Sequence, residues 1–381
     1  MIQTTNYPGP SAADIAAMLR ANAEQVGRMV FPHAVKAGNF LCVGSILGEP
    51  GDSLKIRLTG PKAGTWADYA RSEGEPGGVG DMLKLLELTI GGGDLKRAID
   101  EAKRFLSLDT MDPRAIERMR INADRAAKRA AADKANDDER KRRNAEGLWQ
   151  SAAPLTPASP ATLYLAGRGI VFGPDSPLRR PPGSIRFHHA VWHAEKGRKL
   201  PAMVTCFVDL TPRTVAVHVT YLEYQAGAGW VKLPDMLIEG KPTKVAKKIW
   251  CPLYWGAHLP LWKGDQRDTL ARVKPGTPVE CAEGIEDGLS YAMANPRARV
   301  IGAGTIGNIG KVRLPEQAGA FTVLTQNDTK PEPIAQLEGA IRQQQEQAAA
   351  QAGEAGARRL IACRRPPQGV KDWNDWLRGE G

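Results

Sequence analysis

Between Pro278 and Asp328 the chain alternates apolar runs with amphipathic stretches, and this segment most restricts what it can fold into. Val279–Ala282 is followed by Glu283-Gly284 and a helical stretch from Asp287 to Ala294. A second apolar run leads into Gly302-Ala303-Gly304, and a third, Phe321–Thr325, ends on Gln326-Asn327-Asp328. Short buried strands alternating with helices predict a parallel sheet. Such sheets present their ligands at the carboxyl ends of the strands. Carboxylates gathered there repel one another and call for cations, so the pattern points first to metal-dependent phosphoryl transfer.

The chain has 381 residues, enough for two or three domains. It has no apolar run near the roughly 20 residues that cross a bilayer. Met1-Ile2-Gln3-Thr4-Thr5 lacks the basic and apolar regions of a signal peptide. A cytoplasmic protein without membrane contact is expected. Cys42, Cys206, Cys251, Cys281 and Cys363 are scattered and form no Cys-x-x-Cys pair, so neither a disulfide framework nor a zinc knuckle is written here. The net charge of +10 favours an anionic partner, nucleic acid being the commonest large one, or else serves solubility.

Residues 1–108 read as a small first domain. A helix is expected over Ala12–Met29 and short strands over Phe40–Val43, Ser53–Leu58 and Thr65–Tyr69, with glycines at the turns. After a Gly-rich loop, Asp81 caps one helix, and another runs from Asp94 to Leu106. Residues 109–160 combine a long charged helix, Asp112–Trp149, with a Pro-rich linker. The interleaved acids suit a solvated helix, and a basic nucleic-acid-binding arm is the sharper alternative. Residues 161–273 form an α+β module with strands over Ala202–Leu210 and Val215–Tyr224, and residues 274–381 form the strand-helix domain.

In that last domain Glu283 stands at the end of a buried strand, where a carboxylate has little structural work to do. Glu286 and Asp287 fall in a helix's first turn, where acids complement the dipole. Gln326 and Asp328 share one side of an extended segment. If the third strand lies beside the first, Glu283 and Asp328 can approach one divalent ion. Mg²⁺, or Mn²⁺ in its place, takes few protein carboxylates together with water and phosphate oxygens.

The segments Pro278-Val-Glu-Cys-Ala-Glu-Gly-Ile-Glu-Asp-Gly-Leu-Ser290, Arg299-Val-Ile-Gly-Ala-Gly-Thr-Ile-Gly-Asn-Ile309, Val323-Leu-Thr-Gln-Asn-Asp328 and Lys371-Asp-Trp-Asn-Asp-Trp-Leu377 resemble the Toprim domain of phage- and plasmid-encoded primases and primase-helicases. The resemblance implies that Glu283 is the family's metal-binding Glu, Asp287 the acid four residues on, and Asp328 the second acid of its Asp-x-Asp pair. Gln326 takes the place of the first acid and can ligate only through a neutral oxygen. Upstream, Leu163–Ile170, Ser184–His188, Leu200–Met203 and His218–Leu222 resemble the module preceding Toprim in the same proteins, with Arg168, Arg186 and His218 toward template and nucleotide. Lys244, Lys247 and Lys248 match its basic cluster loosely, as phosphate contacts or as ordinary surface lysines. The first domain is similar to the family's zinc ribbon, but Cys42 and His33 cannot complete a tetrahedral site. It reads as a ribbon that has lost its zinc, with a core around Trp66, Tyr69 and Phe40.

The fold class expected is therefore α+β multidomain: a C-terminal α/β Toprim domain with a Rossmann-like parallel sheet, a mixed α+β module before it, and a small zinc-ribbon-like domain without zinc ligands. The implied function is a DNA primase, a nucleotidyltransferase making short RNA primers on single-stranded DNA from ribonucleotides for a phage, plasmid or mobile element. A weakened or inactive DNA-binding accessory protein and a Toprim nuclease are the alternatives. No Gly-x-x-x-x-Gly-Lys-Ser/Thr loop is present, so a helicase would act in trans. Gly302-Ala-Gly-Thr-Ile-Gly307 fits a dinucleotide-binding loop but lies on the second strand of its domain. Adjacent His188 and His189 are expected on opposite faces of a strand, and Trp373 and Trp376 are expected to dock the C-terminus onto the sheet.

Overall fold

The computed structural model describes residues 10–60, 62–71, 78–238, 240–352 and 359–380. The Met1–Thr5 stretch and the glycine-rich segment 72–77 lie outside them. The chain divides into two compact units, 1–137 and 138–381.

In the first unit the expected helix Ala12–Met29 is two helices, α1 (Ala12–Ala21) and α2 (Ala23–Val30), broken at Asn22. The Asn22 side chain donates to the carbonyl of Met18 and competes with helix continuation. Ser11 and Asp14 form a reciprocal capping box at the start of α1. Strands β1 (Val35–Ala37), β2 (Phe40–Val43), β3 (Leu54–Arg57), β4 (Thr65–Asp68) and β5 (Val79–Asp81) pair antiparallel in that order. Asp81 accepts from the Lys84 amide and caps α3 (Met82–Leu88); Asp94 caps α4 (Leu95–Phe105). The core joins Ile15 and Met18 to Leu54, Ile56, Trp66 and Leu85. Tyr69 is not in it: the alternation that buries Trp66 and Asp68 leaves Tyr69 70% exposed, with Lys55 over its ring. Phe40 is half-buried under Arg57.

Helix α5 (Pro113–Ser151) spans the division between the units. Beyond it β6 (Ala153–Pro154) already pairs with a strand, so part of the expected linker belongs to a sheet. Helix α6 is Pro160–Gly167. The sheet orders β10 (Gly229–Lys232), β9 (Thr214–Gln225), β8 (Arg198–Val208), β7 (Ile185–His193) and β6, with β13 (Lys247–Trp250) also on β9. A separate hairpin joins β11 (Met236–Ile238) and β12 (Lys241–Thr243). His188 and His189 do not face apart. The register of β7 shifts between His188 and Val191, and the two rings stack 5.2 Å apart.

The last sheet orders β14 (Leu259–Trp262), β16 (Val300–Gly302), β15 (Thr277–Ala282), β17 (Ala318–Leu324) and β18 (Ile361–Arg364). Strands β15 to β18 are parallel, while β14, from within residues 161–273, is an antiparallel edge. Helices α7 (Ile285–Ala294), α8 (Ile306–Ile309), α9 (Pro331–Ala352) and α10 (Trp373–Arg378) complete it. Gly304, at φ +81°, follows β16; a Cβ there would come within 2.5 Å of Phe207. This glycine therefore serves close packing. Buried Asn308 fastens the neighbouring loop, bonding the Gly256 amide and the Ala257 and Ala303 carbonyls. Trp373 meets the edge of Tyr291 on α7, so the C-terminus docks on that helix rather than on the sheet.

Two buried histidines carry a stability prediction. Burial first, then Arg299, pushes His258 down to about 4; burial first, then Lys247, pushes His218 down to about 3. An unfolded histidine titrates near 6.5, so below that pH the unfolded chain holds protons the folded chain refuses. Stability is full above about pH 6.5 and falls with acid toward each folded value, by up to about 1.4 kcal/mol per pH unit for each histidine. Urea midpoints at neutral and mildly acid pH should show this fall, and it should be shallower in His258→Gln.

No described helix is long and apolar enough to cross a membrane.

Candidate nucleotidyl-transfer site

Strands β15 and β17 are neighbours, with Ala282 opposite Leu324. The residues that follow them, Glu283 and Gln326-Asn327-Asp328, therefore leave the sheet side by side. Gly284 caps α7 and turns the chain so that Glu286 and Asp287 enter its first turn. Burial and then the Asp287 charge raise the Glu283 carboxyl, with Asp328 adding to the effect and Lys247 and Lys244 opposing it. Burial and then Asp372 push Asp287 up to about 6. Four carboxylates thus share one field, and in it the neighbouring acids help to raise Glu283 and Asp287.

Alternation sorts Gln326, Asn327 and Asp328, which follow β17 after Thr325. Gln326 donates its amide N–H to Asp287 Oδ2 at 2.8 Å, and Asp328 is exposed. Asn327 faces away and donates to the carbonyls of Pro366, Pro367 and Val370, while its own N–H bonds the Lys371 carbonyl. That clamp sets the loop leading to Asp372, which caps α10 through the amides of Asn374 and Asp375. Asp372 had no individual signal beyond its place beside Lys371 and Trp373.

Glu286 is more than a dipole partner. Its buried carboxylate accepts from Tyr164 Oη at 2.7 Å and pairs with Lys247 at 3.0 Å and Lys232 at 3.9 Å. Burial works to raise its carboxyl, but the two ammonium groups and the Tyr164 hydroxyl outweigh burial and hold it well below the usual range. The same ion pair raises Lys247 against burial, whereas burial dominates and lowers Lys232. Tyr164 and Lys232 carry no local signal in the sequence, because their partner Glu286 lies far along the chain.

Of the expected nucleic-acid contacts, Lys247 and Lys244 act on Glu283, and His218 lies buried within the field of Lys247 and Glu286. Arg168 follows α6 close enough to act on Tyr164 and Lys232, and its Nε is buried without a partner. Lys248 pairs instead with Glu195. Arg186 stacks on Trp149 at 3.8 Å and donates to the carbonyls of Trp149, Gln150 and Ala152, closing the end of α5. Among the described residues no three His, Cys, Asp or Glu side chains form a ready metal cage. The donor chemistry fits a hydrated hard cation better than a cage, since Glu283 and exposed Asp328 offer carboxylate oxygens and leave room for water.

Residues 279–381 match the family model described as Toprim domain, and residues 139–243 match one described as Domain of unknown function (DUF7146). No curated protein matches the chain. Solved structures similar to it include the zinc-binding and RNA polymerase domains of the Aquifex aeolicus primase, at 12% identity over 96% of this chain and 82% of that one, TM-score 0.35. A DNA primase domain from Pseudomonas aeruginosa aligns at 13% identity over 63% of this chain and 75% of that one, TM-score 0.38. The primase fragment of the bacteriophage T7 primase-helicase aligns at 13% identity, TM-score 0.30. That alignment covers 51% of this chain and 63% of the T7 fragment, under two thirds of its length.

Proposed function

We propose that this chain, which carries a C-terminal Toprim domain over residues 279–381, is a primase-like nucleotidyltransferase that builds short RNA primers on single-stranded DNA. The observation that carries the reading is the meeting of Glu283, Asp287 and Asp328 beside the basic side chains of Arg168, Lys232, Lys244 and Lys247. Acids suit a divalent cation, and the bases suit polyphosphate.

Glu283 and Asp328 would hold Mg²⁺ or Mn²⁺, with Asp287 and Asp372 nearby. The ion, when bound, would polarise the attacking hydroxyl and neutralise phosphate charge. Arg168 has an unmade N–H for a phosphate oxygen. Lys247, anchored on Glu286, keeps a fixed positive charge beside Glu283. The positive net charge supports binding to the DNA backbone, and a replicative helicase supplied by another chain would deliver the template. A phage, plasmid or mobile-element setting belongs to the same reading, as does a cytoplasmic location.

One observation favours a second reading, a DNA-binding accessory protein with a silent centre. The Gln326 amide already satisfies Asp287 by a hydrogen bond, where the related primases carry an acid. Gln326→Asp separates the two readings in a ribonucleotide incorporation assay with Mg²⁺ or Mn²⁺. A site limited by its missing charge should gain roughly tenfold or more in product from the restored acid. A protein that only binds DNA should make none in either form, with unchanged salt-dependent binding.

A further inference from the structure

A cavity of about 800 Å³ opens beside the amino end of β16, away from the carboxylates. Arg299 immediately precedes β16, whereas Glu283 follows the carboxyl end of neighbouring β15. Four residues of strand separate the two levels, roughly 13 Å.

Arg299 lines this cavity and is only 5% exposed. One of its terminal nitrogens donates to the carbonyls of Asp268 at 3.0 Å and Gln266 at 3.5 Å. Its Nε is buried without a partner, and among the described residues it makes no ion pair. The hydroxyl of Thr269, also on the cavity wall, is likewise buried and unpartnered. The acids on the wall are engaged elsewhere: Asp209 accepts from Thr211 and the Arg213 amide, and Asp265 pairs with Arg297 at 2.8 Å. The Asp268 charge acts on the guanidinium only through space, with no ion pair between them, so Nε keeps an unmade N–H that an anion in the cavity would complete. Trp149, Trp262 and Pro182 give the wall an apolar side, and exposed Arg180, Lys263 and Arg267 add further cations. The volume lies within the range of small-molecule sites.

We propose that this cavity binds a nucleoside phosphate, with a phosphate oxygen accepting from Arg299 Nε and the Thr269 hydroxyl and the base against the tryptophan and proline wall. The site is separate from the proposed catalytic carboxylates and does not depend on their chemistry.

Hydrogen exchange of the full-length chain tests it, with AMP or inorganic phosphate as probe and EDTA present to suppress metal-dependent phosphate binding elsewhere. AMP should protect the amides of residues 263–272, with an apparent affinity about tenfold or more above that of phosphate. Arg299→Met should weaken that protection about tenfold or more. Thr269→Val, which removes only a hydroxyl, should weaken it as well and decides the matter if Arg299→Met fails to fold. Glu283→Gln should leave it intact. Absence of protection, equal protection by phosphate and AMP, survival of protection in both cavity variants, or its loss in Glu283→Gln would each overturn the assignment.

Discussion

Glu286→Gln is expected to destabilise the unit formed by residues 138–381 by about 3 kcal/mol, near the low end for breaking a buried ion pair. The carboxylate accepts from Tyr164 and pairs with both Lys247 and Lys232; glutamine leaves two ammonium groups without their counter-charge. The lysines are 39% and 38% exposed, so water recovers part of the loss and the upper end is not reached. The melting temperature of a unit this size should fall by roughly 6–12 °C. Lys247→Met in the Glu286→Gln background should recover part of the loss, because it removes a charge left unpaired. A melting temperature unchanged by Glu286→Gln would mean that the lysines find full compensation in solvent.

Glu283→Gln is expected to act on chemistry and spare the fold. Its side chain is half-buried and makes no hydrogen bond among the described residues, while the charges of Asp287 and Asp328 already disfavour its ionised form. Removing the charge relieves repulsion, so thermal stability should hold or rise slightly. Product formation should fall by roughly 10²–10³-fold, the scale of losing one preorganised electrostatic group at a reacting centre. Binding to single-stranded DNA should stay within about twofold, because phosphate contacts rest on basic side chains. Product that persists at the level of the unaltered protein would remove Glu283 from the mechanism.

The parts legible in the sequence are those with a local signature. Asp81 and Asp94 announce their helices because a capping carboxylate lies next to the amides it bonds. Glu283 is legible because an apolar run ending on Glu-Gly places a carboxylate where a strand must stop, and β15 and β17 do pair as that reading required. The sorting of Gln326 and Asp328 from Asn327 follows from alternation alone. It extends to a consequence the sequence did not announce: Asn327 spends its amide on the loop that carries Asp372.

What stayed hidden depends on pairings distant in the chain. Lys247 reads as a surface lysine until its partner Glu286, 39 residues on, is known. Tyr164 is 122 residues from the same carboxylate. Arg186 has the composition of a phosphate contact, yet the end of α5, brought beside it by β6 pairing with β7, takes its guanidinium. Tyr69 and the stacked histidines depart from simple alternation for a smaller reason, the phase of a strand and a bulge within one. The Toprim domain was thus legible as a pattern, while the basic groups that surround its carboxylates depend on the middle module folding against it.

The central claim is that these carboxylates serve nucleotidyl transfer. Incorporation of labelled ribonucleotides by the purified full-length chain on a single-stranded DNA template tests it most directly. The account predicts short RNA products that require Mg²⁺ or Mn²⁺, vanish with EDTA and fall by roughly 10²–10³-fold in Glu283→Gln. Absence of product with either metal, while the same preparation binds the template, would contradict it.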